Sequence, residues 1–319
     1  DSRSLWSDED DGVDVEKGGA RGELVDRELY YNAGTVAKKL DWQEVEDDPE
    51  DWAAFFGLDA NAPDDEVLDV ANKLKVQWGD PLHSAPLLIN YGGNENNNMI
   101  FVSTNGGMLH AINADDGSES YAFMPEEFVQ QAEKYTSETY PLTNDNRRQT
   151  YGLDGSWVAL KKDGKKLLFG GMRRGGNSYY ALDVTSRTSP KLLWKKTITD
   201  SGYSDLGQTW STPTPARIGT KTVLIFGGGY DTSHDASGGM RSNGDDAGNV
   251  VYIVDALTGD VLWSEDLAYS VPSSIAVVDK NADGSSDHLY FGDTGGHLYR
   301  VDIDEDNIGA SKVHVLADL

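Results

Sequence analysis

Cysteine is absent from this 319-residue chain, so neither a disulfide nor a thiolate metal site can form. Positive charge is scarce: 27 Lys and Arg stand against 54 Asp and Glu, a formal net charge of −27. Nucleic acid and anionic lipid would be repelled at long range by such a chain, whereas divalent cations and basic protein surfaces would be attracted. No stretch reaches the roughly 18 consecutive apolar residues of a membrane helix, and no basic segment followed by an apolar one opens the chain. No membrane span is therefore expected. The six histidines are scattered, with no H-E-x-x-H and no i, i+4 pair on a helical pattern, which removes the usual zinc arrangements. His83 and His110 are read as structural. No phosphate loop, nucleophile–base pair or paired carboxylates in a catalytic setting stand out, and no enzymatic activity is expected. Because Asp rather than Met stands at position 1, the chain is expected to be an internal piece of a longer protein.

What is present falls into two regions. Residues 1–80 hold 23 acidic and 8 basic residues and read as an acidic N-terminal arm with short helices, its acid lying on solvated faces. In "DDPEDWAAFFGL", Asp48 is a candidate N-cap and Pro49 the first helical residue; Trp52, Phe55 and Phe56 share a face, and Gly57 ends the helix. "APDDEVLDVANKL" has the same form, with Val67, Leu68, Val70, Ala71 and Leu74 as its apolar stripe.

From Pro81 onward the period shortens to two and the chain repeats itself. "MIFVSTNGGMLHAIN", "LLFGGMRRGGNSYYALD", "VLIFGGGY…GNVVYIVD" and "LYFGDTGGHLYRVD" superpose with Phe101, Phe169, Phe226 and Phe291 in register, at intervals of 68, 57 and 65 residues. Each unit is an apolar strand, a Gly-containing turn and an alternating strand ending in Asn113, Asp183, Asp255 or Asp302. "ESYAFM" and "DVLWSE" supply a following strand in two units, and "HSAPLLI", "GSWVAL", "STPTPARI" and "VPSSIAVV" supply a preceding one. Four strands per unit, repeated, describe an all-β, modified β-propeller over 81–319, with blades near 81–135, 150–200, 205–265 and 270–319. A sandwich would lack the long-period self-similarity. Further blades are expected beyond these four.

Between two apolar runs lies "VVDKNADGSSDHLYFGD". Counting Asp279 as position 1 puts Asn281 at 3, Asp283 at 5, Gly284 at 6, Ser285 at 7 and Asp287 at 9, the order of the first nine positions of an EF-hand-type calcium loop. Oxygen ligands at alternate positions let a turning backbone wrap one hard cation, and Gly284 supplies the positive φ of the turn. Ser285 would contribute its carbonyl, so Ser285→Ala is expected to do little. Position 12 is Tyr290 rather than a bidentate Glu, and both flanks are strands rather than EF helices. The expectation is Ca²⁺ held by Asp279, Asn281, Asp283, Ser285 and Asp287 in an inter-strand hairpin. A turn whose side chains cap its own amides is the alternative.

Other acidic and basic groups carry weaker signals. Asp116-Gly117 and Asp154-Gly155 read as turns. The 228–249 loop, with Asp231, Asp235, Asp245 and Asp246, matches no ligand spacing and reads as a flexible insertion. Arg147-Arg148 and Arg173-Arg174 read as solvated loop charge, or as a grip on an anionic partner.

Taken together, "EKGGARGEL", "GDPLHSAPLLINYG", "IFVSTNGGMLHAINADDGSESYAFMPEEF" and "DKNADGSSDHLYFGDTGGHLYRVD" resemble the C-terminal domain of the PilY/PilC-type tip adhesins and biogenesis factors of type IV pili. The resemblance spans most of residues 15–305 and is most specific from Phe101 to Pro125. It implies a modified propeller with a calcium loop on one blade, falling here on Asp279, Asn281, Asp283, Ser285 and Asp287. It also implies an extracellular place at the pilus tip or outer-membrane surface of a Gram-negative bacterium, with minor pilins and a host or abiotic surface as partners. The roles implied are pilus extension against retraction, surface attachment and twitching. A von Willebrand A-like region usually precedes the domain in that family and is not in this sequence. The strong acidity and the long 228–249 loop depart from the family pattern. Two rival resemblances are weaker. "YIVDALTGDVLW" resembles the tryptophan-docking repeat of quinoprotein dehydrogenases, with Trp263 closing one blade on the next, though their alcohol-oxidising members commonly carry adjacent cysteines. FG-GAP or integrin-α-like propellers carry similar acidic loops, but on several blades rather than one.

Overall fold

The computed structural model describes residues 3–7, 10–12, 17–93, 97–137, 150–236 and 244–319. The chain divides into two compact units, Asp1–Asp154 with Val184–Lys191, and Gly155–Asp183 with Leu192–Leu319.

In the first unit the elements are α1 (Gly19–Gly22), β1 (Leu29–Ala33), β2 (Val36–Lys39), α2 (Trp42–Asp47), α3 (Asp64–Val76), β3 (Leu87–Asn90), β4 (Asn98–Ser103), β5 (Leu109–Asn113), β6 (Glu119–Phe123), α4 (Glu126–Val129) and α5 (Ala132–Thr136). The strands form one six-stranded sheet, ordered β2-β1-β6-β5-β4-β3. Residues of the acidic first eighty thus enter the sheet: β1 runs parallel to β6, with Leu29 opposite Ala122 and Tyr30 opposite Phe123. Gly34, at φ +59, turns β1 into β2.

The helix expected over "DDPEDWAAFFGL" is instead two 3₁₀ turns, Pro49–Asp51 and Ala54–Phe56. Asp48 makes no side-chain cap there, because its backbone is already ending α2, whose N-terminus Asp41 caps through the amides of Gln43 and Glu44. Gly57 does close the segment, at φ +86. Trp52 and Phe56 are buried, and Phe55 packs on Tyr31 of β1 with ring centroids 5.2 Å apart. The second helix forms as α3, burying Val67, Val70, Ala71 and Leu74 and leaving Leu68 half-exposed. Asp64, Asp65 and Glu66 lie in its first turn and Lys73 and Lys75 in its last, each complementing the helix dipole.

In the second unit the strands are β7 (Trp157–Lys162), β8 (Lys165–Gly171), β9 (Tyr179–Asp183), β10 (Lys191–Lys196), β11 (Thr214–Ile218), β12 (Lys221–Gly227), β13 (Val250–Asp255), β14 (Val261–Asp266), β15 (Ala276–Val278), β16 (His288–Gly292), β17 (His297–Asp302) and β18 (Lys312–Asp318). They make three four-stranded meanders, β7–β10, β11–β14 and β15–β18. Together with β3–β6, this makes four blade-like meanders among the described residues. The four marker phenylalanines occupy the second strand of each meander. They pair with Ala111, Ala181, Tyr252 and Tyr299 on the third, and all four are at most 4% exposed.

Burial explains the sequence patterns of these sheets. The β11–β14 sheet is covered on both faces: Leu224, Phe226, Tyr252 and Val254 face the β7–β10 sheet, while Val223, Ile225, Val251 and Ile253 face the β15–β18 sheet. Its inner strands are accordingly near-continuous apolar runs. In the β15–β18 sheet, Leu289, Phe291, Tyr299 and Val301 pack inward and the residues between them are half-exposed or exposed, so β16 and β17 alternate. Trp194 of β10 docks under the β13–β14 turn, its Nε1 donating to the Ala256 carbonyl at 3.0 Å. A Cβ on Gly259 would lie 2.9 Å from that indole. Trp263, on the fourth strand of the next sheet, is likewise buried, in the cluster shared with the β15–β18 sheet.

A buried polar network ties α3 to the first sheet. Arg27 Nε donates to Glu119 Oε1 at 2.7 Å and Nη1 to the Leu74 carbonyl at 2.8 Å, and both side chains of the ion pair are fully buried. His110 Nδ1 donates to Glu119 Oε2 at 2.6 Å, the Thr104 hydroxyl lies 3.1 Å from its Nε2, and Trp78 stacks on the ring at 4.1 Å. His110 is therefore structural, as expected, and so is His83, which bonds the buried carboxylate of Asp154 at 2.8 Å. Asp154 is thus more than a turn residue.

Burial pushes His110 below its ordinary value of 6.5, overriding the attraction of Glu119. Burial pushes Glu119 up, but the Arg27 guanidinium and His110 more than offset this and hold it at about 2 instead of 4.5. Both groups bind fewer protons folded than unfolded. Their contribution to stability is therefore complete above about pH 6.5 and falls with acid, first through His110 and then through Glu119 below about pH 4.5. Urea unfolding should show this decline from about pH 6.5 down to about pH 3, and Arg27→Met should cost about 3–5 kcal/mol by stranding the buried carboxylate. A pH-independent midpoint, or a neutral Arg27→Met, would contradict the assignment.

Candidate metal centre

The acidic nonapeptide is the loop joining β15 to β16, closed by Val278 opposite His288 and by the Asp287 amide donating to the Val278 carbonyl at 2.9 Å. Strands flank it on both sides, as its sequence suggested. The backbone turns left-handed at Ala282 and at Gly284, φ +61 and +86. The acidic side chains fold back over their own loop. Asp279 accepts the amides of Ala282 and Gly284, both at 2.7 Å. Asn281 Oδ1 accepts the Asp283 amide at 3.0 Å, and Asp283 Oδ1 accepts the Ser285 amide at 2.7 Å. Asp287 reaches back to the Lys280 amide at 2.6 Å, so the ninth position touches the second. The Ser285 amide, with the Asn281 side chain after it, lowers the pKa of Asp283, which is fully exposed.

As a donor set this is all oxygen: three carboxylates, an amide oxygen and, at Ser285, a carbonyl that accepts no hydrogen bond among the described residues. Such a set suits Ca²⁺ in kind and excludes soft-metal chemistry. In arrangement the carboxylates are turned onto amides, and among the described residues no three His, Asp or Glu side chains gather closely enough to hold a metal as they stand. Each carboxylate retains lone pairs beyond those given to amides.

Two features of the loop were not legible in its sequence. Ser285 is 2% exposed and its hydroxyl accepts the Gly219 amide at 2.8 Å, so its side chain has a structural task that the carbonyl-only reading missed. Arg217, on β11 of the neighbouring sheet, donates Nε to the Gly284 carbonyl at 2.7 Å and Nη2 to the Asp283 carbonyl at 2.8 Å. Some 66 residues separate it from the loop in sequence, and no local pattern pairs the two.

The remaining candidates resolve differently. Of the 228–249 loop, residues 228–236 and 244–249 are described and anchored rather than loose. Asp231 accepts the Ser233 and Asp246 amides, and the buried Asp245 accepts the Ser270 amide and the Thr294 hydroxyl, both at 2.8 Å. These carboxylates cap backbone and, among the described residues, do not converge on a ligand site. Arg173 and Arg174 lie 4.3 and 4.7 Å from the centre of the Trp210 ring, which stacks on Tyr230, and Arg174 pairs with Asp235 at 3.1 Å. They are half-buried parts of an aromatic cluster rather than solvated loop charge. Arg147-Arg148 lies outside the described residues. Asp116 caps the Ser118 amide in the β5–β6 turn, where Gly117 has φ +78, as expected of a turn.

A family model for the PilY1 beta-propeller domain matches residues 90–315. The type IV pilus biogenesis factor PilY1 of Pseudomonas aeruginosa is 30% identical over 214 residues, which cover 64% of this chain and 17% of that protein. A PilY1 homolog of Xylella fastidiosa is 30% identical over 218 residues, covering 63% of this chain and 16% of that protein. The chain thus spans less than a fifth of the length of these relatives. Among solved structures, the C-terminal domain of Pseudomonas aeruginosa PilY1 is similar at 28% identity and a TM-score of 0.48, over 68% of this chain and 44% of that one. A europium-containing methanol dehydrogenase is similar at 14% identity and a TM-score of 0.41, over 73% of this chain and 42% of that one. With the match to the family model covering its repeating strands from β4 through β17, this chain belongs to the PilY1 β-propeller domain family.

Proposed function

We propose that the chain is a calcium-binding, non-catalytic propeller module acting in pilus-tip adhesion and type IV pilus biogenesis. In this reading it lies outside the cell, at the pilus tip or outer-membrane surface, and contacts minor pilins and the surface to which the pilus attaches. Membership of the PilY1 family supports the pilus role, since the curated relatives are named as type IV pilus biogenesis factors. The observation that carries the calcium reading is the β15–β16 loop. Its left-handed Gly284 and the contact between its ninth and second positions bring Asp279, Asn281, Asp283 and Asp287 onto one short hairpin. These side chains and the Ser285 carbonyl would hold the ion. When bound, Ca²⁺ supplies charge neutralisation for three carboxylates that otherwise repel one another.

Linkage sets the scale. A site of roughly 10⁻⁴ M would add about 1.4 kcal/mol at ~1 mM calcium, in the range of extracellular modules. Titration calorimetry should find one calcium site in the parent and none in Asp283→Ala, and chelator should lower the parent melting temperature. Equal calcium affinity in the two proteins, or a melting curve indifferent to chelator, would reduce the loop to an acidic turn. Ser285→Ala should instead keep a calcium site while losing about 1–2 kcal/mol of stability, since it leaves the Gly219 amide without its acceptor. A Ser285→Ala protein as stable as the parent would show that this hydrogen bond carries no weight.

A further inference from the structure

We propose that Arg217 is the positioning residue of the 279–287 loop, and that it couples cation binding there to the contact between the β11–β14 and β15–β18 sheets. This rests on the calcium reading above.

Arg217 sits opposite Thr222 in the β11–β12 hairpin, yet among the described residues both of its side-chain hydrogen bonds cross to the loop, to the consecutive carbonyls of Gly284 and Asp283. Around it the two segments are laced in both directions: the Ser286 amide donates to the Arg217 carbonyl at 2.8 Å, and the Gly219 amide donates to the Ser285 hydroxyl at 2.8 Å. Four hydrogen bonds therefore join residues 217–219 to residues 283–286.

The fit is mutual. Gly284 is required by its φ of +86, and a Cβ there would also stand 2.8 Å from Arg217 Nη2, so the glycine that shapes the loop also admits the guanidinium. A planar fork can hold two carbonyls at once, which an ammonium on a flexible stem does not do. With the carbonyls of Asp283 and Gly284 drawn toward Arg217, Ser285 is the next carbonyl along the chain, at the seventh position where such loops use backbone oxygen.

Two physical roles for Arg217 make opposite predictions. As a mere countercharge it would oppose an incoming dication, and its removal would tighten calcium binding. As a positioning residue it holds the loop backbone in the ligand-bearing shape, and its removal would weaken binding by about 10–100-fold, as for other groups that orient metal ligands. The geometry favours the second, because both hydrogen bonds go to backbone carbonyls and none to a carboxylate. Arg217 is exposed, so its substitution leaves the packed core untouched.

The test is calorimetry with calcium chloride on the whole chain and on Arg217→Met and Arg217→Lys, with amide hydrogen exchange of Gly219 and Ser286 in calcium and in chelator. Expected are a parent that binds, at least about tenfold weaker binding in Arg217→Met, and weaker binding in Arg217→Lys despite its retained charge. Calcium should slow exchange at Gly219 in the parent and not in Arg217→Met. Equal or tighter binding in a folded Arg217→Met, with the parent binding normally, overturns the role of Arg217 and leaves the calcium reading standing. A parent that binds no calcium overturns both.

Discussion

The second unit depends on a four-stranded sheet that has no face to offer to water. Leu224, Phe226, Tyr252 and Val254 on one side and Val223, Ile225, Val251 and Ile253 on the other belong to two different cores, so the β11–β14 sheet must have a sheet packed against each face. Each large apolar side chain placed in this way contributes about 1.5–3 kcal/mol relative to exposure. Meanders that stack face to face cannot be stable singly, which is why the repeat is the unit of the fold. Trp194 fixes how one meander meets the next, by one indole hydrogen bond and one turn glycine that admits the ring.

At the loop end of the next interface the joint is polar. The contact between residues 217–219 and 283–286 lies at the margin of the core holding Ile218, Val223, Leu289 and Val301, where hydrogen bonds and charge continue what apolar packing begins. An acidic loop there is a weak point unless its carboxylates are compensated. Backbone amides and the nearby Arg217 provide part of that compensation. Under the proposed reading a divalent cation provides the rest, and one ion then acts on the hairpin and on the interface between the sheets.

Much of this was legible in the sequence because repetition is a strong signal. Four phenylalanines in register located the second strand of every meander, whereas the alternation expected of the third strand in every unit holds in β17 and fails in β13, which is covered on both faces. The strands β10 and β18 were less visible, since "KLLWKK" and "KVHVLAD" lie after long connections and without a marker turn. The hairpin β1–β2 was hidden by the acidity around it. Leu29, Tyr31 and Asn32 are buried, and the strand that carries them runs parallel to β6 some ninety residues away, which no local period reveals. The 3₁₀ turns at Pro49 and Ala54 show tertiary packing of Trp52 and Phe56 prevailing over a helix-like spacing. At the candidate centre, the order of oxygen-bearing side chains and the need for glycine at 284 could be read directly. Arg217 and the buried hydroxyl of Ser285 could not, because both depend on which sheet lies beside the loop.

The most direct test of this account is an anomalous difference map from crystals of the chain grown in calcium. The account predicts a single peak inside the β15–β16 loop, with oxygens of Asp279, Asn281, Asp283, Ser285 and Asp287 about 2.3–2.6 Å from it and Arg217 still bound to the carbonyls of Asp283 and Gly284. A loop without a peak at saturating calcium, its carboxylates remaining on the amides of Ala282, Gly284, Ser285 and Lys280, would contradict it.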